Sequence, residues 1–308
     1  MRLVFLGTGA IASAHARRLG RYRDVELGFA SRDPARAQAI ARALGGTPYP
    51  SYDAAIGARE VDIVAVVTPP DAHAQLALSA LSAGKHVVLE KPAFLSAADA
   101  DEVAAAAARA NRRVFVAENY HYKPLLARLG SLLAERVVGD VLFIQLNAIK
   151  HQATAGWRGG HGALFEGGIH WIDFMAKLAE VRGVRGLAPG PRGAAERSML
   201  VTFDYAGGAV GTLAYSWEVP ATARGLRLSK IYGRAGTITF ETNGLWVFCH
   251  GKRTRLYLPG LRDLAGYHAM WADFVRAWRD DREAAMTLDH ARRDLALVEQ
   301  AYATAGLS

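Results

Sequence analysis

A short apolar run, Leu3-Val4-Phe5-Leu6, breaks at Gly7-Thr8-Gly9 and passes through Ala10-Ile11-Ala12 into a helical pattern reaching about residue 19. Few uses suit such a junction. Gly7 permits a tight turn, Gly9 lets a ligand approach the backbone, and the small Ala12 allows close strand–helix packing. The N–H groups of the helix's first turn then form an anion site. On its own the pattern fits any tight turn. Its meaning depends on the elements that come after it in the chain.

Those elements alternate between strand and helix. Residues 25–30 read as a second strand, and Asp33-Pro34 starts a helix that stops at Gly45-Gly46. Proline suits the first helical position, where its missing N–H costs nothing, and Asp33 suits the N-cap. Apolar strands at 61–67, 86–89 and 113–117 alternate with helices at 73–83 and 99–110. Connections this long exclude hairpins, so a doubly wound parallel sheet is expected. After Asn119 the rhythm changes. A helix at 124–135, a long strand at 141–149 and a helix at 168–179 precede strands at 197–205, 209–217, 226–232, 237–241, 245–249 and 255–258. Two helices, 267–278 and 288–303, end the chain. The fold class expected is α/β: a Rossmann domain over 1–120, then an α/β domain over 121–308 with a large, mainly antiparallel open sheet and the C-terminal helices.

The glycine turn in this setting predicts a bound dinucleotide. The end of the second strand usually chooses between the two nicotinamide cofactors, because an acidic residue there binds the ribose diol. Here the residues are Ser31-Arg32. A hydroxyl and a guanidinium suit a 2′-phosphate, which favours NADP over NAD.

The net charge of +8 raises the question of a nucleic-acid partner. The basic residues are scattered along helix-like segments beside Asp and Glu, with no basic tail or finger spacing, so no such partner is expected. The single Cys249 forms no intrachain disulfide. No apolar stretch approaches the roughly 20 residues of a spanning helix. The expectation is a cytoplasmic protein without a membrane partner.

Further elements arrive in order: Thr68-Pro69-Pro70 closing a buried strand, His73 just after it, and Glu90-Lys91-Pro92 closing the next. Gly160-His161-Gly162 and Glu166-x-Gly168-x-His170-x-x-Asp173 come later, in the second domain. Together with the glycine turn, these resemble the glucose-fructose oxidoreductase, inositol dehydrogenase and rhizopine-catabolism family along essentially the whole chain. The resemblance implies alcohol–carbonyl conversions on sugars, cyclitols or sugar nucleotides, an active site between the domains, and a sheet often used for oligomer contacts. It also implies that Thr68, Pro69, Pro70, His73, Glu90, Lys91 and Asn119 contribute to the cofactor site, with Lys91 at the reacting centre. Glu166 stands where the family usually has aspartate.

Alcohol oxidation needs a hydride acceptor against the carbinol carbon and a group that takes the hydroxyl proton. Lys91 ends a buried strand, where ligands bind in this architecture, and its charge stabilises oxygen in either direction. His170 is the acid/base candidate, because imidazole titrates near working pH. On a helix, Glu166 and Asp173 both come within reach of His170, so either carboxylate could orient the ring or bind substrate hydroxyls. Tyr120, Tyr122, Trp157 and His161 are candidate substrate contacts for a small polar, sugar-like molecule. No second histidine or cysteine sits at ligand spacing, so no metal is expected. A dinucleotide-binding regulatory or scaffold protein without turnover is the alternative. Leu200, Thr202, Val210, Thr212, Ile231 and Tyr232 outnumber what the available helices can cover, which points to a homodimer or homotetramer.

Overall fold

The structure, a computed structural model, describes residues 1–152, 160–190, 195–220 and 226–307. The chain divides into two compact units: Met1–Glu118 with Met270–Arg292, and Asn119–Ala269 with Arg293–Ser308.

In the first unit, β1 (Arg2–Leu6), β2 (Glu26–Ala30), β3 (Thr47–Tyr49), β4 (Ile63–Val66), β5 (His86–Leu89) and β6 (Val114–Val116) form one parallel sheet in the order β3-β2-β1-β4-β5-β6. Leu3, Val4, Phe5 and Leu6 of the central strand are wholly buried, as a near-continuous apolar run in a parallel sheet must be. The helices α1 (Ala10–Leu19) and α2 (Pro34–Leu44) pack together, as do α4 (His73–Ser82) and α5 (Ala97–Ala110), with the short α3 (Tyr52–Gly57) after β3. Asp33 caps α2 by accepting the Ala35 N–H at 3.0 Å. Pro48 sits in β3, an edge strand of three residues, where a missing N–H is tolerated. The sequence alone keeps 121–308 together, including both final helices. The structure instead gives Met270–Arg292, most of α8 (Tyr267–Arg279), to the first unit. Its Phe274 and Trp278 rings lie 5.0 and 5.2 Å from Phe115 and cover edge strand β6.

The second unit opens with α6 (Pro124–Ala134) and β7 (Val141–Ile149), followed by α7 (Ile169–Leu178). Its sheet continues through β8 (Val181–Leu187), β9 (Ser198–Tyr205), β10 (Val210–Ser216), β11 (Leu228–Gly233), β12 (Gly236–Glu241), β13 (Val247–His250) and β14 (Thr254–Tyr257). The eight strands run β14-β13-β12-β11-β7-β10-β9-β8, antiparallel except where β7 meets β10. The fold class expected from sequence therefore stands. α9 (Leu288–Ala305) guards the sheet edge: Gln300 Oε1 and Thr304 Oγ1 accept the Val184 and Gly186 N–H groups of β8 at 3.1 and 2.8 Å. A Cβ at Gly186 would lie 2.2 Å from the Ala301 carbonyl oxygen, so only glycine admits this helix.

One sheet face is covered and the other is open. Tyr232, Phe143 and Val210 are cross-strand neighbours on the open face, and Leu200 and Thr202 share it. Ile231 does not. Pleating puts it opposite Tyr232's face, where it is wholly buried, which corrects its placement among the open-face residues.

Candidate functional site

The strand order of the first unit reverses beside β1, and ligands of open α/β sheets bind at the carboxyl ends of strands at that point. Gly7 ends β1 at a φ of +115°, and a Cβ on it would come within 2.9 Å of the Val67 carbonyl oxygen after β4. Gly9 is the N-cap of α1, and a Cβ there would meet nothing within 4 Å. Thr8 is half-buried, Gly9 and Ala10 are exposed, Ile11 is half-buried, and Ala12 is fully buried beneath them. The first N–H groups of α1 thus adjoin open space. At the end of β4, beside Pro69 and the buried Pro70, the Thr68 Oγ1 is buried without a hydrogen-bond partner. A tight glycine, an open glycine and an orphaned hydroxyl at one strand switch fit a dinucleotide pyrophosphate.

At the end of β2, Ser31 is buried and its Oγ accepts the Asp33 N–H at 3.2 Å, while Arg32 is exposed. Asp33 caps α2 through its Oδ1 alone, and the side chain stays 58% exposed.

His73 is wholly buried. Its Nδ1 lies 3.0 Å from the Pro92 carbonyl oxygen and its Nε2 lies 2.9 Å from that of Thr68. Both neighbours only accept, so a neutral ring donates to one of them. Burial pushes this imidazole below its usual pKa, which keeps it neutral near pH 7. Its single ring proton therefore bonds one of the two carbonyls, at the end of β4 or just after β5. Glu90 is buried as well: its Oε1 meets His15 Nε2 at 2.7 Å, and its Oε2 accepts the Lys91 backbone N–H at 2.9 Å. Burial pushes the Glu90 carboxyl up. The His15 hydrogen bond, with the charge and N–H of Lys91, more than offsets that and holds it below the usual range. Lys91, half-buried, precedes a cis bond to Pro92.

In the second unit, a π-helical turn over Leu164–Gly168 leads into α7, a distortion frequent at functional positions. It places Glu166 in buried surroundings, and a Cβ on Gly167 would fall 2.2 Å from the Tyr215 hydroxyl. Tyr215 accepts the Trp217 indole N–H at 2.6 Å. His170 is half-buried with its ring stacked on Tyr120, centroids 4.3 Å apart. Lys123 Nζ sits 4.5 Å over the same tyrosine ring, and Tyr122 meets His121 edge-on. His161 lies 5.5 Å from Phe165, while Trp157 falls outside the described residues.

Two expected residues have other partners. Asn119 donates its amide to the Ala265 carbonyl oxygen at 2.6 Å. Asp173 is fully buried and accepts from His121 Nδ1 at 3.0 Å and Arg293 Nη2 at 3.1 Å. Burial pushes the Asp173 carboxyl up, but the His121 hydrogen bond and the His121, Arg293 and Lys177 charges outweigh it and hold the group low. Its carboxylate thus serves His121. His121, Arg293, His15 and Trp271 are absent from the expected site. The signal for His15 was a lone histidine among Ala12, Ala16 and Leu19 on the buried face of α1, since a buried imidazole needs partners.

Residues 1–118 match the oxidoreductase family with an NAD-binding Rossmann fold, and residues 126–239 match the GFO/IDH/MocA C-terminal domain. The chain belongs to the GFO/IDH/MocA oxidoreductase family. The family resemblance and the NAD(P)-binding oxidoreductase expected from sequence stand on that membership. Glucose-6-phosphate 3-dehydrogenase of Bacillus subtilis is 32% identical over 58% of this chain and 54% of its own length. A putative UDP-kanosamine synthase oxidoreductase subunit of Amycolatopsis mediterranei is 29% identical over 89% of this chain and 87% of its own length. UDP-N-acetylglucosamine 3-dehydrogenase of Acidithiobacillus ferrooxidans is 26% identical over 86% of this chain and 82% of its own length. The solved structure of that enzyme superposes over 100% of this chain and 98% of its own at a TM-score of 0.85 and 22% identity. Among the described residues, no cluster of potential metal ligands occurs and no helix is long and apolar enough to cross a membrane.

Proposed function

We propose that this chain interconverts a secondary alcohol and a ketone on a phosphorylated or nucleotide-linked hexose, at the sugar's 3-position. The observation that carries the reaction type is Lys91, half-buried at the carboxyl end of β5, with its backbone held by an ionised Glu90. The 3-position and the phosphate are supported by the names of two relatives, the glucose-6-phosphate and UDP-N-acetylglucosamine 3-dehydrogenases. A net charge of +8 favours an anionic substrate. A nicotinamide dinucleotide held at Gly7, Gly9 and Thr68 would supply or take the hydride. Lys91 stabilises the substrate oxygen and His170 exchanges its proton, with Tyr120 fixing the imidazole plane by stacking. Loss of hydride and hydroxyl proton from the alcohol gives the ketone and one reduced nicotinamide. Absorbance of reduced nicotinamide, followed over a panel of hexose phosphates, nucleotide hexoses and free polyols, tests the reading. Turnover of free polyols alone would remove the phosphate requirement, and no turnover on any member would favour a non-catalytic binding protein.

Ser31 and Arg32 make NADP the preferred cofactor. Arg32→Ala weakens NADPH binding by about 1–3 kcal/mol, the worth of a charged hydrogen bond, and leaves NADH nearly unchanged. Fluorescence titration of both cofactors checks this. A native preference for NADH contradicts it.

The open sheet face carries Phe143, Leu200, Val210, Phe248 and Leu256, all exposed. So much apolar surface supports pairing of two copies into a dimer or tetramer. Light scattering at micromolar concentration decides this, and Phe143→Lys with Val210→Glu should yield monomer. A monomeric native protein refutes it.

A further inference from the structure

Glu90 is the end of a chain of hydrogen bonds that begins near the other end of the sequence. Trp271 on α8 donates its indole N–H to His15 Nδ1 at 2.9 Å, with the two rings at 80°. A ring nitrogen that accepts carries no proton, so a neutral His15 holds its proton on Nε2. Nε2 faces Glu90 Oε1 at 2.7 Å and donates there, while Glu90 Oε2 takes the Lys91 N–H. Trp271 and His15 are each 1% exposed and Glu90 is 7% exposed. The Lys91 ammonium also acts on Glu90, as does His73 of α4, whose ring nitrogens both face carbonyl oxygens.

Each member of this chain fixes the next. The indole selects the tautomer, and the tautomer makes Nε2 a donor. That donor ionises and aims the carboxylate, which in turn holds the backbone at Lys91. Burying a carboxylate is costly, and apolar side chains would fill the same space without that cost. Its presence here therefore points to a demand for exact direction. Phe5 supports the arrangement from behind, its ring nearly parallel to His15 at 6.5 Å.

We propose that His15 and Trp271 are positioning residues for Lys91, acting through Glu90, so that an indole on the C-terminal helix α8 sets the placement of the reaction's lysine. This rests on the reading of Lys91 as the residue that stabilises the substrate oxygen. It adds to the motif two residues carried by other elements, α1 and α8.

Three near-isosteric variants test it. His15→Leu removes the donor to Glu90, His15→Gln restores an N–H near the same point, and Trp271→Phe releases the tautomer. In His15→Leu, kcat should fall about tenfold or more, as for a displaced catalytic group, with the NADPH dissociation constant within about twofold. His15→Gln should recover most of that loss, which a purely space-filling role would not require. Nitrogen-15 spectra of the native protein should show His15 with a protonated Nε2 and a bare Nδ1. In Trp271→Phe both tautomers of His15 should appear in those spectra, and kcat should fall, because no donor then selects the Nε2–H form. Native kcat and pH profile in His15→Leu, or a native His15 protonated on Nδ1, would overturn the proposal. If His15→Leu does not fold, the spectra and the Trp271→Phe turnover still decide. Lys91→Met serves as the reference. Full turnover there defeats the reading of Lys91 itself, whereas loss there with full turnover in His15→Leu defeats only the relay.

Discussion

Replacing Lys91 by methionine should lower turnover by about 10²–10⁴-fold, the worth of a positioned group that stabilises charge or moves a proton. Methionine keeps most of the length and volume and removes the ammonium. The dissociation constant for the dinucleotide should change little, because the residues proposed to hold its pyrophosphate and ribose, the glycine turn and Ser31-Arg32, follow β1 and β2 rather than β5. Glu90 keeps its bond from His15 in this variant, so the loop retains its tie to α1. His170→Asn should show a loss of the same order, because asparagine offers a hydrogen bond but exchanges no proton near neutral pH. The two variants separate the roles. The one that removes an ionisation from the pH profile of kcat marks the proton carrier, and the other marks the residue that only stabilises the oxygen. Near-native turnover in both would defeat the mechanism.

Most of the first unit was legible because its signals are local. Glycine spacing, apolar runs of strand length and the Asp33-Pro34 start each act within a few residues, and β1, β2, α1 and α2 fall where those signals put them. β8 was missed because its sequence, Val-Arg-Gly-Val-Arg-Gly-Leu, has too little side-chain mass to read as a strand. Its glycines make sense only once α9 is seen to lie against them. β3 and α3 were missed through brevity and the proline at 48. The same distinction governs the functional residues. Lys91 and His170 sit in motifs, whereas the partners of Glu90 and Asp173 are distant in sequence. Helical spacing suggested that Asp173 could reach His170, and tertiary structure gave its carboxylate to His121 and Arg293 instead. Trp271 is buried core, but its N–H has a specific task that no period in the sequence reports.

Asp173→Asn should reveal what that reassignment means. The native carboxylate is fully buried, and so is the His121 ring it holds, while Arg293 is about a third exposed. Removing one member of a buried pair leaves the others desolvated without compensation, which costs about 3 kcal/mol at the low end of the range for such pairs. Partial exposure of Arg293 places the cost at that low end. The melting temperature should accordingly drop by several degrees. The pH dependence carries a definite sign. The folded-state pKa of Asp173 lies below the ordinary aspartate value of 3.8, so its stabilising contribution is complete above that value and disappears as the pH falls toward the folded-state pKa. The gap between native and variant melting temperatures should therefore be constant near neutrality and narrow below about pH 4, where the native carboxyl becomes protonated and resembles the amide. Turnover at neutral pH should fall less than in His170→Asn, because Asp173 accepts hydrogen bonds from His121 and Arg293. If Asp173→Asn melted like the native protein yet lost as much turnover as His170→Asn, the carboxylate would belong to the proton-handling machinery and the pairing with His121 would be incidental.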